Sequence, residues 1–215
     1  MGNQSTNPRS EVSGANERAP VPATATVRLS DSVAGIAMVA LGVSITAASF
    51  YALGHKAALV SCLLGWSMLA IAAVDARRFV IPDVLSLPAV PAGLLASGYL
   101  LDPSMHQLIR LDHVIGAGVG GALFWLVREA YWRIRGREGL GLGDVKLAAA
   151  AGAWTGWQHL ADVILFATTA ALGLAIAIAI VRREALSATS RLAFGVFLAP
   201  SIWVVWLLRS YANGL

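Results

Sequence analysis

Two aspartates stand at the ends of apolar runs, and helix stability does not ask for the first of them. Asp75 closes the apolar run Ile71-Ala72-Ala73-Val74 and is followed by Ala76-Arg77-Arg78. A carboxylate at that end of a helix faces the negative pole of the dipole and gains nothing from capping. Asp144 follows Gly139-Leu140-Gly141-Leu142-Gly143 and precedes the helix-forming run Val145-Lys146-Leu147-Ala148-Ala149-Ala150. Each has an ordinary reading: Asp75 as a surface residue paired with Arg77 or Arg78, and Asp144 as an N-cap. Both nevertheless sit at the edge of apolar runs, where ionisable groups are costly and point to function. Brought together, they would share one proton, because two close carboxylates cannot both ionise cheaply. One could then act as base on a water and the other as acid toward a carbonyl, which is the chemistry of an aspartic protease. Such chemistry requires no metal, no nucleophilic Ser or Cys and no cofactor.

Rival chemistries find little support. Gly139, Gly141 and Gly143 leave a backbone free to approach another backbone, as a site receiving an extended peptide needs. A phosphate loop would require GxxxxGK followed by Ser or Thr, and Asp144 stands where the Lys should be. The histidines His55, His106, His113 and His159 form no HExxH pattern, and Cys62 is the single cysteine, so no metal site, disulfide framework or redox pair is expected.

The elements that must position the aspartates follow from composition. Of 215 residues, 57% are hydrophobic and 13% charged, and mean hydropathy is +0.69. Soluble chains carry roughly 25% charged residues, so a soluble single-core globule is excluded and the lipid bilayer becomes the solvent. Seven apolar runs follow in order: 33–53, 57–74, 84–101, 113–132, 145–160, 163–181 and 192–208. They predict an all-α, polytopic transmembrane helical bundle of six to seven spans. The third is interrupted by Pro88 and Pro91, and the fifth is short and Ala-rich. Residues 1–30, rich in Ser, Asn, Pro, Ala and Thr, read as a disordered polar cytoplasmic tail, and 31–215 as the membrane domain. With the amino terminus inside, 13 of the 16 Lys and Arg residues fall on the cytoplasmic side; only Lys56, Arg110 and Arg209 lie outside. Net charge of +4 is therefore loop charge, and nucleic acid is not an expected partner.

That topology joins the two aspartates. Asp75 ends the second run going in and Asp144 begins the fifth going out, so both lie at the cytoplasmic face. Val74-Asp75-Ala76-Arg77-Arg78-Phe79-Val80-Ile81-Pro82-Asp83-Val84-Leu85 and Arg135-Gly136-Arg137-Glu138-Gly139-Leu140-Gly141-Leu142-Gly143-Asp144-Val145-Lys146-Leu147 closely resemble the two signatures of type IV prepilin peptidases, the GxGD-type membrane aspartyl proteases. The resemblance continues through Gly152-Ala153-Trp154-Thr155-Gly156 and covers about residues 57–208. It implies that Asp75 and Asp144 are the catalytic pair. The implied substrate is a prepilin or pseudopilin, cut at the cytoplasmic face of the inner membrane between its short basic leader and its hydrophobic helix. Many members read Pro-Phe-Gly-Pro near the last span, whereas this chain has Ala193-Phe194-Gly195-Val196. Bifunctional members also carry a cytoplasmic domain with paired cysteines linked to N-methylation; this sequence resembles the short, peptidase-only form, as in members serving tight-adherence pili.

The neighbouring residues take supporting roles. Gly141 and Gly143 shape the loop before Asp144. Asp83 suits the N-cap of the third helix, and Lys146 either tunes Asp144 or anchors at the interface. Asp83, Glu129 and Glu138 form an acidic set that could attract a basic leader. Trp125, Trp132, Trp154, Trp157, Trp203 and Trp206 read as interfacial belts or packing. Oligomeric state leaves no mark in the sequence. The alternative from another class is a non-enzymatic membrane protein, a proton-coupled carrier or assembly scaffold, whose aspartates are relay or capping residues.

Overall fold

The computed structural model describes residues 23–100, 106–136, 139–182 and 193–215. Among the described residues the seven apolar runs become seven helices: α1 (Ala23–Ala52), α2 (His55–Arg78), α3 (Asp83–Leu100), α4 (His106–Arg135), α5 (Leu142–Thr155), α6 (Leu160–Arg182) and α7 (Gly195–Ala212). No strand occurs among the described residues, so the architecture is an all-α membrane bundle. Four segments are long and apolar enough to cross a bilayer: Val33–Ala52, His55–Arg78, Leu160–Val181 and Gly195–Ala212. The chain divides into two units, 1–36 and 37–215. In the first, α1 begins at Ala23, inside the stretch read as a polar tail; residues 1–22 lie outside the described residues.

Within 37–215 the core is built around α5, which packs against α3, α4, α6 and α7. Its alanines let neighbours come close: Leu147, Ala148, Ala150, Ala151 and Ala153 are all buried. The tightest contact is with α4. A Cβ on Gly152 would lie 1.9 Å from the Gly116 carbonyl oxygen, and one on Gly120 would lie 2.3 Å from the Ala148 carbonyl oxygen. Gly116 and Gly120 are four residues apart, as are Ala148 and Gly152, so two small-residue stripes meet backbone to backbone. In a bilayer such contact replaces the hydrophobic driving force that water would supply. Because backbone cannot yield as a side chain can, Gly152→Val should leave no folded protein, read as loss of the monodisperse peak in detergent size-exclusion chromatography.

Polar contacts fix the remaining helices. Ser49 and Ser61 share a hydrogen bond of 2.7 Å between α1 and α2, and the Trp203 Nε1–H of α7 donates to Ser61 at 3.1 Å. Trp154 of α5 donates its Nε1–H to the Ala89 carbonyl of α3 at 2.8 Å. Trp154 and Trp206 are buried, while Trp125, Trp132 and Trp157 are exposed. The packing reading thus holds for Trp154 and Trp206. At 14 residues, α5 is about 21 Å long at 1.5 Å per residue, well short of its neighbours.

Candidate functional site

Asp75 lies in the last turn of α2, where it is buried although its neighbours Arg77 and Arg78 are exposed. The sequence ends this helix on Phe79, which adopts the left-handed conformation at φ 53° and donates its N–H to the Asp75 carbonyl at 2.9 Å. A bulky residue pays roughly 1–2 kcal/mol for that conformation. It turns the chain into Val80-Ile81-Pro82 and the start of α3.

The Asp75 carboxylate turns away from the arginines toward the first turn of α7. The Val196 N–H donates to Oδ2 at 3.1 Å, and the Gly195 N–H also bonds this carboxylate. A helix N-terminus suits an anion because its free N–H groups and its dipole both point at the ligand. Gly195 is required there, since a Cβ would lie 2.7 Å from Asp75 Oδ2 and 2.9 Å from Ile81 Cδ1. Ile81 is itself buried, and a Cβ on Gly143 would come within 2.7 Å of its Cβ. One isoleucine therefore packs against the two glycines that adjoin the two aspartates. Neither Gly195 nor Ile81 emerges as a site residue from sequence reasoning, although Ile81 lies inside the first signature stretch and Gly195 inside Ala193-Phe194-Gly195-Val196.

Asp144 is the third residue of α5, with Gly141 as the N-cap. Its Oδ2 accepts the Gly141 N–H at 3.3 Å, the half of a capping box that a glycine N-cap permits. The expectation of a simple N-cap is thus displaced by three residues along the helix. Its other oxygen, Oδ1, is buried and has no hydrogen-bond partner among the described residues. Burial pushes the Asp144 carboxyl up to about 6; the Gly141 N–H opposes the rise and the nearby charge of Asp75 adds to it. The two carboxylates are therefore within electrostatic reach of one another despite their 69-residue separation in sequence.

The supporting residues fall out differently. Asp83 is the first residue of α3 rather than its N-cap, and its Oδ1 accepts a 2.6 Å hydrogen bond from Lys146 Nζ. Lys146 thus anchors on α3, not at the interface alone, and clamps α5 to the α2–α3 connection. The pair is half exposed, and exposed pairs contribute little, so Lys146→Ala should lower stability by no more than about 1 kcal/mol in thermal unfolding. Glu129 is bonded to Arg133 at 2.8 Å, so two members of the expected acidic set already hold cations. Glu138 lies outside the described residues.

A buried carboxylate held by N–H donors beside a second one with an unpartnered oxygen is an arrangement for moving one proton, and the comparisons with known proteins bear on it. Residues 62–178 match the type IV leader peptidase family. The chain is 41% identical to the prepilin leader peptidase/N-methyltransferase of Dickeya chrysanthemi, over 67% of this chain and 49% of that protein. The proteins of the same name from Escherichia coli (strain K12) and Pseudomonas aeruginosa are 38% and 34% identical, over 61% and 67% of this chain and 55% and 48% of theirs. The chain thus spans about half the length of the curated relatives it matches. No solved structure matches it. The matched segment runs without a break from α2 into α6, contains both aspartates and the glycines before Asp144, and covers just over half of the 215 residues; the chain belongs to the type IV leader peptidase family.

Proposed function

We propose that this chain is a membrane-embedded aspartic endopeptidase that removes the short basic leader from type IV prepilin or pseudopilin precursors at the cytoplasmic face of the inner membrane. The observation that carries the reading is the pairing of Asp75, bonded to the α7 N-terminus, with Asp144, whose buried Oδ1 has no partner among the described residues. The names of the relatives supply the substrate class, and the excess of Lys and Arg in one set of loops supplies the face and a cytoplasmic amino terminus.

The pair works with one proton between two carboxyls. Asp144 holds it, and Asp75, bonded by N–H groups, is the anion. Asp75 takes a proton from water as the water oxygen bonds to the scissile carbonyl carbon. Asp144 gives its proton to the carbonyl oxygen, leaving a neutral gem-diol. When the C–N bond breaks, Asp75 returns its proton to the leaving nitrogen and Asp144 recovers one from a diol hydroxyl. The free carboxylic acid then ionises outside the site, and the pair is left with the single proton it began with.

The test is cleavage of a co-expressed prepilin, read as a mobility shift, by the wild type and by Asp75→Asn and Asp144→Asn at matched membrane abundance. Loss in both variants is expected. Full cleavage by either would break the pair and return the aspartates to a relay, with proton-dependent flux as the next readout.

A further inference from the structure

Between α2 and α3 lies an open groove of about 570 Å³, within the roughly 300–1,000 Å³ typical of ligand sites. It exists because the two helices, though joined by only residues 79–82, pack chiefly on other partners: α2 on α7 and α3 on α5. Leu63 and Ser67 form one wall, Leu85, Pro88 and Ala92 the other, and Trp154 closes the back, fixed by its hydrogen bond to the Ala89 carbonyl.

Three features specify the occupant. First, the lining is apolar: its one hydroxyl, on Ser67, already donates to the Leu64 carbonyl at 2.7 Å, so the groove offers an occupant no free hydroxyl donor. An occupant at this depth must satisfy its own backbone, which in a bilayer means a helix. Second, α3 presents Ala89, Ala92 and Ala96 to the groove, and small residues at helical spacing let a second helix come close. Third, one end of the groove lies at the first turn of α3, the end of that helix nearest the aspartates. The groove's lining on this helix begins at Val84, three residues after the Ile81 that packs on Gly143 and Gly195, and runs to Ala96, about 18 Å along α3. A lipid chain would gain nothing from that placement, whereas a helix seated here would have one end one turn from Ile81, which packs beside both aspartates.

We propose that the α2–α3 groove is the docking site for the apolar transmembrane helix of the substrate, which enters sideways from the bilayer and delivers the bond that precedes it to Asp75 and Asp144. Binding energy from the helix, remote from the reacting atoms, then positions the scissile bond. The inference rests on the prepilin peptidase reading above.

Filling the groove tests it. With purified protein in lipid nanodiscs, kcat/KM is measured for wild type and Ala92→Trp on two substrates: full-length prepilin, and a water-soluble peptide that spans the cleaved bond but ends before the apolar helix. Ala92 is exposed to the groove, so an indole there can be accommodated without displacing buried core. The expected result is a loss on full-length prepilin at least tenfold greater than the loss on the peptide. Equal effects on the two substrates would overturn the proposal. An independent measurement places a photo-reactive residue at Leu63 or Leu95 in the groove, and at Val181 on α6 as the control, in the Asp144→Asn background. Prepilin adducts at the groove positions and not at Val181 are expected; adducts to lipid alone would overturn the docking site even if Ala92→Trp failed to fold. Failure of the wild type to cleave either substrate would instead sink the prepilin reading itself, and the groove assignment with it.

Discussion

Asp144→Asn is expected to abolish cleavage while making the protein more stable. A positioned acid or base typically contributes 10²- to 10⁴-fold, and here one residue serves both roles in turn, so kcat should fall by at least about 10³-fold. Stability should move the other way because the site holds a carboxylate against its ordinary preference. With the Asp144 carboxyl pushed from 3.8 up to about 6 in the folded protein, the protonated side chain contributes stability that is fully present below the unfolded value and is lost as pH rises through about 6. Asparagine is neutral at every pH, and its amide oxygen can still accept the Gly141 N–H. The difference in melting temperature between variant and wild type should therefore be small near pH 4, grow in favour of the variant between pH 4 and 6, and level off above. A melting curve displaced equally at all pH values would mean that the carboxylate is not held at a cost.

The second large effect is at a residue with no side chain. Gly195→Ala places a methyl group 2.7 Å from Asp75 Oδ2 and 2.9 Å from Ile81 Cδ1, both inside contact distance, so either the carboxylate or the first turn of α7 must shift. A displacement of about 1 Å in a reacting group can cost 10²-fold in rate, and cleavage should fall by at least that much. Abundance should not, because alanine is the better helix former and lies in an otherwise relaxed turn. The loss should appear in kcat, with KM for a short peptide substrate little changed. Val196→Pro gives a graded comparison. Proline is accepted in a first helical turn but lacks the N–H that reaches Asp75 and the Ala193 carbonyl, so it removes that donor without placing a Cβ at position 195. Its loss should be smaller than that of Gly195→Ala. The opposite ranking would mean that the hydrogen bond, rather than the space, is what Asp75 requires.

The candidate pair stands out in the sequence for different reasons: Asp75 violates a local rule by ending an apolar run, whereas Asp144 alone reads as a cap and draws notice through the glycines before it and the family resemblance. The seven helices are legible because apolar runs and their punctuation are local. What escapes is contact between distant positions. Gly195 matters because α7 starts against α2, 120 residues away, and the pattern around it, a departure from Pro-Phe-Gly-Pro, does not say what the glycine meets. Ile81 looks like one more apolar residue until its packing on Gly143 and Gly195 is seen. Read along the chain, Lys146 is a tuner of Asp144 or an anchor and Asp83 a cap or one of an acidic set, because a 63-residue separation conceals their ion pair. The displacement of Asp144 from N-cap to third position is smaller: Gly141, being permissive, can begin the helix earlier than the aspartate would.

The brevity of α5 has a consequence for where the bilayer ends. A hydrocarbon core of about 30 Å exceeds a helix of 14 residues by roughly 9 Å. Helices that meet lipid settle such a mismatch by deforming the membrane, but α5 is ringed by α3, α4, α6 and α7 and takes the difference inside the protein. Before it runs Gly139-Leu140-Gly141, non-helical and largely exposed. That exposure lies directly beside Asp144. On the peptidase reading, a helix that stops early would let the water consumed by the reaction reach the pair through a missing length of protein.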